Sequence, residues 1–435
     1  MMYLKEGACV NLTIDGFAKI GHADIKLNGV TVIAGENNSG KSTVGKILYC
    51  LVNAFYDVDR YIYAEKKQRL SRELRFIASS AKEYPLRTYP LWRDNALIRE
   101  ILSFTVENSG DDERLRSLIL SKLKPETDKG LNDLDVVLKH IVGIIRMNDE
   151  ALKAVIVSRQ FSMEFDGQVN NLNDAAKPAS AVLSTDNGEQ AHVRFEENKC
   201  TDFSRDYMSR TGAIYIDTPF VIDRVRESWA YPLYADSVMN HRDSLAEKLA
   251  SNNENSIFDE AVNRSRLERI GGLLSRVTAG QFVRSDGDDG DSFDFKEDGY
   301  KSALHLSNLS TGLKTFVIIK RLIENASIAA DSTLILDEPE IHLHPAWQLA
   351  FAEILLLLQK EFNLTILLNT HSPYFLSAIE TYSAKHGTTE KCSYYLSDLD
   401  DGCARFIEVT SDTEPIYKKL ATPFQTLENV KYEIN

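Results

Sequence analysis

The sequence predicts an α/β fold, a mixed sheet flanked by helices and interrupted by a mainly helical insertion. Three observations predict it. Residues 30–56 read in order as an apolar strand, a glycine-bounded loop and a helix. From residue 310 onward, strands and helices alternate, which implies a parallel sheet covered on both faces. Between them, residues 57–210 are charge-rich and mostly helical in period.

The opening segments VNLTIDGF, ADIKL and GVTVIAG read as short strands, separated by turn pairs at Asp15-Gly16 and Asn28-Gly29. Behind the loop, Val44, Ile47, Leu48, Leu51, Val52 and Phe55 form one apolar helical stripe. RYIYAEKKQRLSRELRFIAS, NALIREILSFTVENS, LNDLDVVLKHIVGIIRM and ALKAVIVSRQFSMEF then read as helices. ASAVLST and AHVRFEE read as extended, and GAIYIDTPFVID as a core strand returning to the sheet. The division expected is therefore a first lobe over 1–56, an insertion over 57–210 and a second lobe over 211–435. Residues 235–277 again read as mainly helical. The acidic segment 284–299 (RSDGDDGDSFDFKEDG) lacks the regular ligand spacing and closing Glu of a calcium loop, so a solvated hairpin turn is expected. The last stretch runs helix (TGLKTFVIIKRLIENA), strand (STLILDE), helix (PAWQLAFAEILLLLQKEF), strand (LTILLNT) and helix (PYFLSAIETYS), then two extended segments, SYYLS and ARFIEV.

Composition narrows the function classes. The chain has 435 residues, 43% of them apolar, enough for a sizeable core. Its net charge of −14 argues against a generally basic surface, though not against a local basic patch. No apolar run reaches membrane-spanning length, and MMYLKEGACVNL lacks an apolar signal core. Five scattered cysteines (Cys9, Cys50, Cys200, Cys392, Cys403), with no CxxC spacing, suit reduced thiols in a cytoplasmic protein.

Four motifs carry chemistry. Gly35-Glu36-Asn37-Asn38-Ser39-Gly40-Lys41-Ser42-Thr43 matches the phosphate-binding loop pattern, placed between strand and helix. Glycines let backbone N–H groups wrap phosphates, and the helix N-terminus adds the positive end of its dipole. Lys41 is expected to reach the β- and γ-phosphates of ATP, Ser42 to ligate Mg2+, and Asn38 to tolerate an unusual φ. STLILDEPE supplies Asp337 at a strand end to hold Mg2+ through water, and Glu338 to orient or deprotonate the attacking water. LLNTHSP puts His371 at a neighbouring strand end, 34 residues after Asp337, within reach of the γ-phosphate. LSNLSTGLKTF supplies Ser310, a helix N-cap, and Gly312, which allows close backbone approach.

In this order, GENNSGKST, LSTGL, LILDEPEIHLHP and LLNTHSP resemble an ABC-type ATPase, more the SMC/RecF/OLD-like branch than transporter subunits. FAKIGHADIKLNGVTVIAGENNSGKST is similar to the start of OLD-like and related bacterial defence ATPases. The resemblance covers residues 1–56 and 300–410 well and the middle only loosely. It implies a head-to-head homodimer, or a higher homo-oligomer built from such pairs, with two ATPs sandwiched between subunits, Lys41 and Ser42 of one facing Ser310 and Gly312 of the other. Glu340 to His344 would cross the seam. The sequence departs from the pattern at Thr311 and Leu313, where a second Gly and a Gln often stand, and no glutamine loop is identified; Gln160 and Gln168 are both candidates. Phe17 is the candidate to stack on adenine.

OLD-family nucleases carry a Toprim domain after the ATPase, whereas here 64 residues follow His371. Asp398 and Asp400 in SDLDDG read as a hairpin turn rather than a metal site. No nuclease activity is expected in this chain. The resemblance implies a sensor or scaffold subunit of an anti-phage defence complex, of Septu or PARIS type, that controls a separate effector nuclease or toxin. The alternative is a DNA-maintenance ATPase that clamps DNA. Residues 57–100 favour it, with ten Lys or Arg against seven acids and interleaved tyrosines; a solvated helix surface accounts for them as well.

Overall fold

A computed structural model describes residues 10–56, 58–80, 95–104, 109–123, 128–174, 176–205, 211–225, 238–251, 270–284 and 293–434. Cys9, the core of the acidic segment (285–292) and most of the helical reading over 252–269 lie outside them.

The chain begins with β1 (Val10–Phe17), β2 (Ile20–Leu27), β3 (Val30–Gly35) and α1 (Lys41–Tyr56). Five helices follow: α2 (Val58–Ser80), α3 (Asn95–Leu102), α4 (Ser109–Leu123), α5 (Asp128–Ile145) and α6 (Asp149–Phe165). Then come β4 (Ala179–Thr185), β5 (Gln190–Glu196), β6 (Lys199–Arg205), β7 (Ile214–Ile216) and α7 (His241–Ala250). A small antiparallel sheet holds β8 (Gly280–Arg284), β9 (Phe293–Glu297) and β10 (Leu304–His305). The C-terminal part runs α8 (Thr311–Glu324), β11 (Thr333–Asp337), α9 (Pro345–Phe362), β12 (Thr365–Thr370), α10 (Pro373–His386), β13 (Cys392–Asp400), β14 (Cys403–Glu408) and α11 (Glu414–Ile434).

Two compact units emerge. One is helical, residues 57–156 with 236–238; the other holds everything else. The helical unit has its own core. Leu70 and Leu74 lie one turn apart on α2 and pack with Ile98 and Ile101 of α3, Ile119 of α4 and Ile141 of α5. The sequence reading set the insertion at 57–210; residues 157–205 instead group with the sheet unit. The reason is strand pairing. β4 runs antiparallel to β1, with Leu12 opposite Leu183, and so extends the main sheet. β6, which has no apolar alternation, went unread in the sequence because it is a largely exposed edge strand.

The main sheet is mixed and ordered β6-β5-β4-β1-β2-β14-β13-β3-β12-β11-β7. β13, β3, β12, β11 and β7 are parallel; the strands from β6 to β2 pair antiparallel, as β13 does with β14. The parallel strands are buried on both faces, and period-2 alternation sorts their side chains between two cores. Val32, Leu334, Leu336 and Leu368 face the core built with α8, α9 and α10. Ile33, Tyr215, Ile335 and Leu367 face the core built with α1. The expected hairpin over 397–402 forms: Asp398 faces Arg405 across the β13–β14 pair, and Asp401 and Gly402 turn with φ of +49° and +78°. The strands flanking the acidic segment, β8 and β9, also pair as a hairpin. The described cysteines are all free thiols. Among the described residues, no helix is long and apolar enough to cross a membrane.

Phe316 anchors the α8 face. It is fully buried, edge-on to Trp347 at 5.7 Å and to Phe351 at 5.4 Å. Phe316→Ala is expected to cost about 3–5 kcal/mol through lost contacts and the cavity left behind. A thermal melt within a degree of wild type would show that α8 does not depend on this packing.

Candidate functional site

The parallel register ends neighbouring strands at one level. Ala34 pairs with Thr370, Asn369 with Asp337 and Leu336 with Ile216. The turns that follow β3, β12, β11 and β7 therefore open at the same edge, where ligands bind in such sheets.

The loop after β3 is shaped by close approaches. A Cβ on Gly35 would lie 2.2 Å from the Ser397 carbonyl oxygen, so only glycine fits. Asn38 and Gly40 take φ of +65° and +88°, as expected of Asn38. The loop is braced from below. Ser39, nearly fully buried, donates to the Glu36 carbonyl at 2.7 Å, and Ser397 Oγ donates to Ser39 O at 2.6 Å. Lys19 holds Asn38 Oδ1 at 2.6 Å. Glu36, Asn37, Asn38 and Ser42 are exposed at the rim, with Thr43 and Gly40 half-buried.

Lys41 begins α1 and folds back over the loop. Its Nζ donates to the carbonyls of Gly35 (3.1 Å) and Glu36 (2.7 Å) and lies 4.0 Å from Glu338 Oε1. Burial draws the ammonium below its ordinary pKa, against the pull of Glu338, Asp337, Glu340 and Glu36. A buried cation ringed by carbonyls and acids, at a helix N-terminus, suits an oxyanion.

The acidic strand end is fixed equally tightly. Asn369 Nδ2 donates to Asp337 Oδ1 at 2.9 Å, and the Tyr215 hydroxyl donates to Oδ2 at 3.3 Å. Burial first, with Asp337, Asp217 and Glu164 adding to it, pushes the Tyr215 phenol far above its usual pKa, so it remains a donor. Glu338 sits at φ +48°, a strained backbone for a non-glycine residue. Its N–H is anchored on the Asn369 carbonyl at 2.9 Å. That turn aims the carboxylate between Lys41 and His371, whose Nδ1 is 3.3 Å from Glu338 Oε1. The structure thus brings together Lys41, Asp337, Glu338 and His371, four of the residues singled out in the sequence. Hard oxygen donors from Asp337 and the exposed Ser42 hydroxyl fit Mg2+, and the two donors behind Asp337 leave its outward lone pairs for a hydrated cation.

Ser310 and Gly312 stand elsewhere on the same unit. Ser310 occupies the N-cap of α8, is exposed, and makes no side-chain capping bond. Gly312 is a close-approach position, since a Cβ there would be 3.0 Å from the His342 carbonyl and from the Trp347 ring. α8 therefore packs its first turn against the segment that follows Glu340.

Two expectations are corrected. Phe17 is fully buried among Phe161, Phe165 and Phe195, so it belongs to the core and does not offer a face to adenine. Glu340 does not face a seam; it is 2% exposed and turned inward. Ile341, His342 and His344 are the exposed members of that segment. Of the two glutamines, Gln160 is buried, bonding the Met239 carbonyl at 3.0 Å, and Gln168 is exposed.

The sequence reading passed over Tyr215, gave Asn369 no role and misplaced Glu340. A polar residue ending an otherwise apolar strand, as in LLNT, is the signal that marks Asn369. Glu340 Oε1 accepts from Thr370 Oγ1 in a short contact and from the His371 N–H at 3.4 Å. One carboxyl thereby ties the turn after β11 to the end of β12.

Residues 204–377, less than half of the chain, match a family described as "AAA domain, putative AbiEii toxin, Type IV TA system". Similar solved structures include an Smc head bound to the C-terminal winged-helix domain of ScpA, at 12% identity and TM-score 0.42 over 92% of this chain and 96% of that one. The SMC head domain from Thermotoga maritima gives 13% identity and TM-score 0.34 over 94% and 99%. A Pyrococcus furiosus Smc head with an extended coiled coil, bound to the C-terminal domain of ScpA, gives 11% and 0.39 over 97% and 98%. The mixed sheet with helices on its faces makes this chain an α/β protein, with a glycine-bounded loop joining β3 to α1 and acidic residues at the end of β11.

Burial raises the Glu340 pKa in the folded state, against Thr370 and His371, which favour its charged form. A raised folded pKa means the folded protein binds the extra proton, so this group costs stability as pH rises through the unfolded and then the folded value. Glu340→Gln keeps the Oε1 acceptor and removes that cost. The melting temperature of Glu340→Gln minus that of wild type is expected to grow as pH rises from the ordinary carboxylate range upward. A constant difference across this range would show that the carboxyl does not titrate there.

Proposed function

We propose that this chain is an ABC-type ATPase that binds and hydrolyses ATP, closing as a homodimer around it, and serves as sensor and scaffold of a defence complex. The observation that carries the nucleotide reading is the convergence of Lys41, Asp337, Glu338 and His371 at one sheet edge. The loop N–H groups and Lys41 would cradle the phosphates of ATP. Ser42 and Asp337 would hold Mg2+, which would supply positive charge to offset that of the phosphates. Glu338, strained into place and flanked by Lys41 and His371, would take the proton from the attacking water. His371 would touch the γ-phosphate. Ser310 is exposed at the N-cap of α8, consistent with its serving a triphosphate held by a second copy.

The defence role, with a separate effector nuclease or toxin as partner, is supported by the OLD-like pattern of motifs; the matched family's description names a type IV TA system. A second reading, an ATPase that clamps DNA, is favoured by α2, where Arg60, Lys66, Lys67, Arg69, Arg72 and Arg75 outnumber Asp59, Glu65 and Glu73. Lys66 pairs with Asp149 and Arg69 with Glu65. Co-purification of a stoichiometric second protein supports the first reading. Duplex-stimulated turnover that fades steeply with salt supports the second.

Glu338→Gln is expected to bind ATP normally while hydrolysis falls about 10²–10⁴-fold, so that dimer accumulates in native mass spectra with ATP. Wild-type turnover in that variant would remove Glu338 from the chemistry. Ser310→Arg is expected to leave monomer nucleotide binding intact and to abolish the ATP-dependent dimer. Dimer formation at the wild-type level would refute the shared pocket.

A further inference from the structure

We infer that Tyr215 is a positioning residue for the metal-binding acid, its hydroxyl setting the orientation of Asp337 against the start of α1. This rests on the nucleotide reading above and adds to it a residue outside every motif.

Tyr215 is the middle residue of β7, and its side chain points to the α1 side of the sheet, opposite Ile214 and Ile216. It is 1% exposed. A buried ring at this position is explained by packing; a buried hydroxyl is not, because it costs stability unless bonded. Its partners are specific. The oxygen lies 3.3 Å from Asp337 Oδ2 and 3.4 Å from the Ser42 carbonyl oxygen. One donor thus faces acceptors on both residues that would hold Mg2+. With Asn369 Nδ2 on the other oxygen at 2.9 Å, the Asp337 carboxylate is fixed at both ends from behind.

The surroundings are built to keep the phenol there. Gly45 on α1 leaves the space, since a Cβ would lie 3.3 Å from Tyr215 Cζ and Oη. The ring stacks on His241 at 4.5 Å between centroids and 25° between planes. His241 is itself clamped, Nδ1 to Glu164 Oε1 at 2.6 Å and Nε2 to Asp217 Oδ2 at 3.1 Å. Arg242 Nε grips the same Asp217 oxygen at 2.8 Å. The imidazole stacked on the Tyr215 ring is thus held between two acids, with the half-exposed Arg242 outside them.

The test uses the full chain with Tyr215→Phe, which keeps the ring and its stacking and removes only the hydroxyl. Binding of a fluorescent ATP analogue is titrated in EDTA and again across a MgCl2 series, alongside thermal melting. Expected is unchanged affinity in EDTA, a near wild-type melt, and a Mg2+ requirement for tight binding raised about 10–100-fold, as for loss of a group that orients a metal ligand. An unchanged Mg2+ dependence overturns the inference. So does an equal loss of affinity with and without Mg2+, which marks a purely structural role. Wild-type protein that binds no nucleotide in either condition overturns the nucleotide reading itself, and with it this one.

Discussion

The site depends on the parallel register of four strands. Ala34 opposite Thr370, Asn369 opposite Asp337 and Leu336 opposite Ile216 bring β3, β12, β11 and β7 to a common edge. A slip of one residue on any of them would turn its last side chain to the other face. Asp337 would then leave Asn369 and Tyr215, and Lys41 would lose the acids that compensate its burial. Side-chain alternation between the two cores enforces the register, since Leu336 and Ile335 each fit only one of them.

Around that edge the protein accumulates features that are unfavourable alone and tolerated together. Lys41 is a buried cation, Glu338 carries a strained backbone, and Glu340 is a carboxyl taken out of water. Each is compensated by a neighbour from a different strand end. Lys41 has carbonyls and Glu338; Glu338 has the Asn369 carbonyl; Glu340 has Thr370. Strain and buried charge of this kind concentrate where a ligand is handled. The same pattern continues one layer deeper, where His241 sits between two acids. Burial alone would discharge it, yet bonds to Asp217 and Glu164 raise its pKa. Asp217 meets burial too, but His241 and Arg242 hold it down at about 2.

Local signals in the chain identify the loop, the acidic strand and the order of elements. GENNSGKST is recognisable because glycine spacing and Asn38 are demanded by backbone geometry within a few residues. STLILDE and LLNT are recognisable because a strand buried on both faces must be continuously apolar. The end of the helical insertion is not recognisable in this way. β4 looks like any alternating strand until β1 is seen to accept it as a partner, and β6 offers no pattern because an edge strand buries little. Phe17 and Glu340 were misplaced for a related reason. Composition shows what a side chain is, while its facing depends on which neighbours the sheet brings to it.

The sequence by itself determined that a strand, a phosphate-type loop and a helix would be followed by an acidic strand end and a histidine. Those are properties of contiguous residues, governed by periodicity and by φ. Only the tertiary structure decided that Tyr215 would stand behind Asp337, that Glu340 would turn inward to Thr370, and that residues 179–205 would join the main sheet. These pairings join residues 30 to 175 positions apart, across strand orders and helix faces for which a single sequence carries no local signal.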